Sequence, residues 1–292
     1  MNKLDICKQT RKVASESLYK TLEILLNSKK PISESILRDR WLLEMRKYKS
    51  ISQDGWYIPP PHGMGVLFAT EDDIKRLNFT SIRPQEFWPR DDIYLDREKG
   101  IMMLYFSPVD IKSGIIGDFE MTLYFGKNKL LINQIKTSLK IISKTFKFVD
   151  VGLKFSDIAK FMDNLLMKNH LINSVYSISD PLNNNFGHTI PYSYEDMTQD
   201  ENKILRLEKK DWQTVCNMIS KKRRFLNISE DLELQVPMAF TIEPRCKLND
   251  EDKSPLISFH TVVLIKENGK KELLTNFDKI FKLARMDYAL NL

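Results

Sequence analysis

Apolar and polar residues alternate along the chain at two distinct spacings, and these spacings predict its elements. Residues 15–27 place Leu18, Leu22, Ile24 and Leu25 at helical intervals. A second helix is predicted after Pro31, with Ser33 as its N-cap and Ile36, Leu37, Trp41, Leu42 and Met45 on one face. The segment DGWYIPPPHGMG reads as a loop, followed by a short strand at Val66-Leu67-Phe68. Residues 80–97 carry Pro84 and Pro89 without a period and predict a long surface loop. IMMLYF, from Ile101 to Phe106, is a continuous apolar run that predicts a buried strand, and GDFEMTLYF, 117–125, alternates as its hairpin partner. Two amphipathic helices follow over 129–148 and 155–168. Then come a strand at 172–178, a polar strand or loop at 183–191, and a highly charged helical stretch at 200–222. The last third predicts strands at 232–242, 256–266 and 271–275, with Asn268-Gly269 as a tight hairpin turn and a closing helix.

Composition narrows the class without naming it. The 292 residues are 42% apolar and 29% charged, which excludes a disordered or fibrous chain. No apolar run approaches the roughly 18 residues of a membrane span, and MNKLDICKQTRKVASES lacks the apolar core of a secretory signal. The expectation is a cytoplasmic protein with no membrane partner. Cys7, Cys216 and Cys246 are scattered without metal-type spacing and read as reduced thiols. The net charge of +6 permits a nucleic-acid partner without requiring one. SKKRR at 220–224 reads either as a solvated helix end or as a phosphate-binding patch.

Four histidines occur: His62, His170, His188 and His260. His188 stands in FGHTIP and His260 in LISFHTVVLI, both strand-like. Between them Glu243 lies in MAFTIEPRC, and upstream Asp118 opens GDFEMTLYF. A carboxylate on an apolar strand is costly unless paired, hydrogen-bonded or bound to metal. The bland alternatives are hydrogen-bonded core histidines, a Glu243 paired with Arg245 or His188, and Asp118 as a strand-start residue.

These segments resemble the methionine aminopeptidase and Xaa-Pro peptidase family. GDFEMTLYFG is similar to the segment in which a metal-binding aspartate opens a strand. GHTIP is similar to the segment of the histidine ligand, MAFTIEP to that of a glutamate ligand, and HTVVLIKENGKKELLT to the final hairpin. The resemblance implies an α+β pita-bread fold: a curved, mostly antiparallel sheet backed by helices in two pseudo-symmetric halves. It implies one domain over 1–292, with a charged helical insertion at about 198–230.

The family's metal site uses two aspartates, a histidine and two glutamates around two divalent ions. By resemblance, the second aspartate falls on Asp118, the histidine on His188 and the first glutamate on Glu243. The first aspartate falls on Ser107, and nearby Asp110 reaches the site only through a bulge. The last glutamate falls on His260. Two negative charges are thereby lost, which disfavours a dinuclear centre. Asp118, His188, Glu243 and His260 remain as ligands for one divalent ion, Zn, Fe or Mn. The family's later histidine falls near Glu195, and Glu243 or Glu195 is the expected base. Trp56, Tyr57 and Trp88 are candidate walls of the substrate cleft, and His62 either lines it or faces solvent. The resemblance supports two functions: a metal-dependent, hydrolase-like enzyme acting on a peptide or amino-acid-derived small molecule, or a catalytically inactive pseudoenzyme binding a peptide, protein or nucleic acid. It also implies a homodimer.

Overall fold

The computed structural model describes residues 2–175, 180, 182, 184–207, 211–249 and 254–290. Helix α1, Lys3–Asn27, begins where the Asn2 side chain accepts from the Asp5 amide. It starts earlier than its spacing suggests because Leu4, Cys7, Val13 and Ala14 are also buried. Helix α2, Glu34–Met45, has the expected Ser33 cap, but Ile36 is exposed rather than on the buried face with Leu37, Trp41 and Met45. The reason is angular: Leu37, Trp41 and Met45 are spaced four apart, and Ile36 lies off that row.

These two helices back a three-stranded antiparallel sheet of β1, Met64–Thr70, β2, Gly100–Phe106, and β3, Phe119–Tyr124. Leu104 pairs with Met121 and Tyr105 with Glu120. Every residue of β2 and β3 is buried, so the core is sequestered on both faces of this sheet.

Helices α3, Lys129–Phe148, and α4, Phe155–Lys168, match their predicted bounds. They lie against strands of the chain's second half. There β4, Leu171–Asn173, is shorter than expected, and 176–178 lie outside the described residues. The charged stretch forms two helices rather than one, α5, Gln199–Arg206, and α6, Trp212–Lys221. Each has its own cap, a Thr198–Glu201 capping box and Asp211.

Strand β5, Met238–Ile242, is confined to the end of its predicted run. Strand β6 covers Arg245–Leu248. The single strand expected over 256–266 is interrupted, giving β7, Ile257–Ser258, and β8, Thr261–Ile265. The hairpin closes with β9, Lys271–Leu274, at Gly269, whose φ of 75° suits a residue without Cβ. Helix α7 covers Asp278–Leu283. The strands form antiparallel sheets in the orders β4-β6-β7 and β5-β8-β9.

The interruption at Phe259–His260 matters. At His260 the chain leaves β7 and bridges instead to Glu120 of β3, with the His260 amide donating to the Glu120 carbonyl at 3.0 Å. One cluster of buried apolar side chains runs through α1, α2, α3, α4 and all three sheets. No helix of the described residues is long and apolar enough to cross a membrane.

Candidate metal centre

The β3–His260 bridge brings four predicted side chains together. In β3, side chains two apart share a face, so Asp118 at its entrance and Glu120 point the same way. His188 reaches this point because 186–190 runs beside β5. Thr241 donates its amide to the His188 carbonyl at 2.8 Å, and the Glu243 amide donates to the Phe186 carbonyl at 2.9 Å. Gly187 permits the approach: its φ is 146°, and a Cβ there would stand 2.2 Å from the Thr241 carbonyl oxygen.

Asp118, His188, Glu243 and His260 are all buried at 3% exposure or less. Asp118 Oδ2 lies 3.1 Å from His188 Nε2, and Asp118 Oδ1 lies 2.9 Å from His260 Nδ1. His260 Nδ1 is also 2.8 Å from Glu243 Oε2, and its Nε2 is 2.9 Å from Glu120 Oε2. With a carboxylate oxygen at each ring nitrogen, both nitrogens act as donors, which makes His260 an imidazolium. Glu243, Glu120 and Asp118 together overcome the effect of burial and hold His260 well above its ordinary value. Burial alone would raise the Asp118 and Glu243 carboxyls, but His260 and His188 hold both below the usual carboxylate range.

This network leaves gaps. His260 Nδ1 has a single N–H, directed to Asp118, so Glu243 Oε2 beside it has no hydrogen bond. Glu120 Oε1 is likewise buried without a donor among the described residues. Unsatisfied buried carboxylate oxygens are costly, and a cation relieves them.

His188 points to the same need. Its Nδ1 donates to the Thr189 carbonyl at 2.9 Å, so Nε2 is the ring nitrogen that faces Asp118. A ring anchored through Nδ1 on a backbone carbonyl is oriented to offer Nε2 to a metal. Ligand atoms of Asp118, His188 and Glu243 lie within 4.8 Å of one another. Tetrahedral ligands at about 2.1 Å from an ion stand ~3.4 Å apart, so small side-chain rotations close the set. The donor set of one imidazole and two carboxylates therefore fits one divalent ion. His260 does not complete this three-residue group; it contacts its carboxylates from the side as a charged neighbour.

The other predicted residues divide. Trp56 and Tyr57 line the cavity above the carboxylates, which holds about 440 Å³. Trp88 does not; its indole donates to the Arg83 carbonyl at 3.0 Å. His62 is also outside the lining, with Nδ1 2.9 Å from Asp54 Oδ1. Glu195 is half-buried beside Lys3, whose Nζ donates to its carbonyl at 2.8 Å, and it too is absent from the lining. Ser107 is fully buried, and its Oγ accepts from the Trp56 indole at 2.8 Å. Asp110 caps the turn at Lys112 and Ser113 instead of entering the site.

Glu120 and Arg11 have no place in the sequence-based expectations, and Arg245 enters them only as a pairing partner of Glu243. Glu120 was signalled by its two-residue offset from Asp118. Arg245 stands two residues beyond Glu243, with Nη 3.4 Å from His260 Nε2. Arg11 is fully buried in α1 and donates to the carbonyls of Asp118, of His260 at 2.7 Å and of Thr275 at 2.7 Å. Nothing in the local pattern of α1 announces that role.

No protein-family model matches the chain, and no curated protein is significantly similar in sequence. Solved structures do match. The X-Pro aminopeptidase from Thermotoga maritima MSB8 superposes with a TM-score of 0.60 at 12% identity, over 94% of this chain and 60% of that one. The prolidase from Pyrococcus furiosus gives 0.61 at 12% identity, over 94% and 63%. The N-terminal domain of FACT complex subunit SPT16 from Cicer arietinum (chickpea) gives 0.58 at 12% identity, over 94% and 57%. The chain thus spans about 60% of the length of the solved structures it matches. At such identities the likeness establishes architecture alone: the chain has the α+β pita-bread fold of these proteins, with Asp118, His188 and Glu243 gathered at a candidate metal site.

Proposed function

We propose that this chain is a divergent, metallopeptidase-like hydrolase that holds one divalent ion, Zn, Fe or Mn, and acts on a small peptide or amino-acid derivative. One observation carries the reading: Asp118, His188 and Glu243 meet at the floor of a cavity, where a buried Glu243 oxygen lacks a hydrogen bond. The ion would supply a polarised water. The chain's own residues do the rest. Asp118 and Glu243 offset the ion's charge, and His188 presents Nε2 from a ring fixed on Thr189. Glu120, at the cavity wall with one oxygen unsatisfied, is placed to accept a proton in the role expected of Glu243 or Glu195. Trp56 and Tyr57 exclude water from one side of the cavity.

Metal analysis after reconstitution with Mn, Zn or Fe tests this. The expected result is one ion per chain, a raised Tm, and loss of both in Asp118→Asn. No bound ion under any of the three conditions sinks it.

A second reading rests on a different observation. His260 stands among three carboxylates, so its imidazolium offsets part of the site's negative charge without metal. The chain would then be an inactive pita-bread module whose cavity binds a peptide or protein segment. The SPT16 domain is a structural neighbour outside the named peptidases. A metal-free protein that retains ligand binding favours this reading.

A further inference from the structure

The outer face of α3 carries a line of charge that neither the fold nor the cavity uses. Lys129, Lys136, Lys140, Lys144 and Lys147 are all exposed, and the helix holds no Asp or Glu. With 3.6 residues per turn the five fall within an arc of about 80°, and at 1.5 Å per residue they run along about 27 Å of helix. The opposite face is buried, with Leu131, Ile135, Leu139 and Ile142 in the main core. Like charges four residues apart, as at Lys136, Lys140 and Lys144, repel and weaken a helix. Packing therefore holds up a face that the helix alone would not favour.

Ion pairs do not balance this face. Among the described residues none of the five ammonium groups makes an ion pair or a hydrogen bond. Elsewhere on the surface lysines are matched, Lys3 with Asp196, Lys8 with Glu272, Lys47 with Glu44 and Lys99 with Asp72. The elements packed most closely on α3 leave it uncompensated. Helix α4 carries Asp157 and Asp163 but also Lys160 and Lys168, so it is neutral. Strands β5 and β7 carry no charge, and the helical turn Asp287–Ala289 adds one acid. Five lysines against one aspartate leave a net +4. The Lys271 ammonium then donates to the Phe146, Lys147 and Val149 carbonyls, which offsets the negative end of the helix dipole. The SKKRR cluster, by contrast, is partly spent: Lys222 pairs with Glu201, and Arg224 with Glu230.

We propose that this face of α3 binds the phosphodiester backbone of a nucleic-acid duplex without reading its sequence. A duplex carries a phosphate every ~3.4 Å along each strand, so a line of about 27 Å faces roughly eight phosphates per strand. Lysine meets phosphate as a mobile point charge, and such contacts fix position rather than sequence. Within the arc there is no aromatic ring on which single-stranded bases would stack. A membrane surface fits less well, because an interfacial helix buries its apolar face in lipid, and that of α3 lies in the protein core. The inference is independent of what the cavity holds.

Fluorescence anisotropy of the full chain with a labelled, random-sequence duplex of about 20 base pairs tests this, in about 50 to 200 mM KCl. Binding is expected, with log K falling against log salt at a slope of about −4. Lys136→Gln, Lys140→Gln and Lys144→Gln combined should make the slope shallower by about 3 and weaken binding at least about tenfold at 100 mM KCl. A control with the same net charge, Lys29→Gln, Lys30→Gln and Lys221→Gln combined, should weaken it less than about threefold. All six positions are exposed, so neither variant disturbs the core. No duplex binding at the lowest salt, or equal losses in the two variants, overturns the proposal. Binding of polyglutamate or of phosphatidylserine vesicles with the duplex left unbound also overturns it, and assigns the face to an acidic protein or to a membrane.

Discussion

The Trp56 indole donates to the Ser107 hydroxyl across 2.8 Å, in the position that the family resemblance reserves for a metal-binding aspartate. On that resemblance a neutral hydrogen-bonded pair stands where a carboxylate would, beside the cavity that Trp56 lines. Together with the match of His260 to a glutamate that the resemblance implies, this supports the proposal of a site for one ion.

Restoring both carboxylates should restore the second ion. Ser107→Asp combined with His260→Glu is expected to raise bound metal from one to two per chain, read by elemental analysis. Without metal the double variant should be destabilised by about 3–5 kcal/mol, because several buried carboxylates then lack a counter-charge. A stoichiometry that stays at one argues against the positional match.

Loss of His260 alone tests how the floor is held. His260→Gln leaves Asp118, Glu120 and Glu243 without their shared cation. About 3–5 kcal/mol of stability should be lost in urea unfolding, and added Mn or Zn should recover more stability than it adds to wild type. Equal metal responses in the two proteins would contradict this.

Stability should depend on pH with two opposed signs. Asp118 and Glu243 are held low by His260 and His188, so their contribution is complete above their unfolded values near pH ~4 and is lost as pH falls. His260 is held high by Glu243, Glu120 and Asp118, so its contribution is complete below its unfolded value of ~6.5 and is lost as pH rises towards the folded value. Calorimetry in EDTA should therefore place the highest Tm between about pH 4.5 and 6.5. His260→Gln should flatten the alkaline limb, and a Tm of the wild type that climbs steadily from pH 6 to 9 would refute the assignment.

Arg11 acts on the site from beneath. Sandwiched between Phe119 and Phe277 at 5.1 and 5.6 Å, it ties the backbones of Asp118 and His260 together. Arg11→Met keeps much of the volume but removes those donors. It should cost on the order of 3 kcal/mol and weaken metal uptake at least tenfold, because Asp118 is no longer fixed. Arg11→Lys should recover part of the stability and little of the metal affinity.

What the sequence disclosed follows from what each signal depends on. Helices α3 and α4 were legible to the residue because an amphipathic period is local, and Asp118, His188 and Glu243 were legible through the segments that carry them. Glu195 lies away from the cavity and His62 takes the solvent-facing one of its two expected places, because loop path, not spacing, decides where such residues end. The break at Phe259–His260 was hidden inside an apolar run that reads as one strand. Arg11 gains its role only when α1 meets the distant segments of Asp118, His260 and Thr275, so no local pattern marks it, whereas Arg245 shows in the sequence only as a neighbour of Glu243.

The bridge between Glu120 and His260 makes one amide a gauge of the whole centre. That N–H sits where the first sheet joins the rest of the molecule, on residues that line the cavity. Any occupant of the cavity must either steady or loosen this seam. The exchange rate of the His260 amide would therefore report occupancy directly, with no chromophore or turnover assay, even while the occupant is still unidentified.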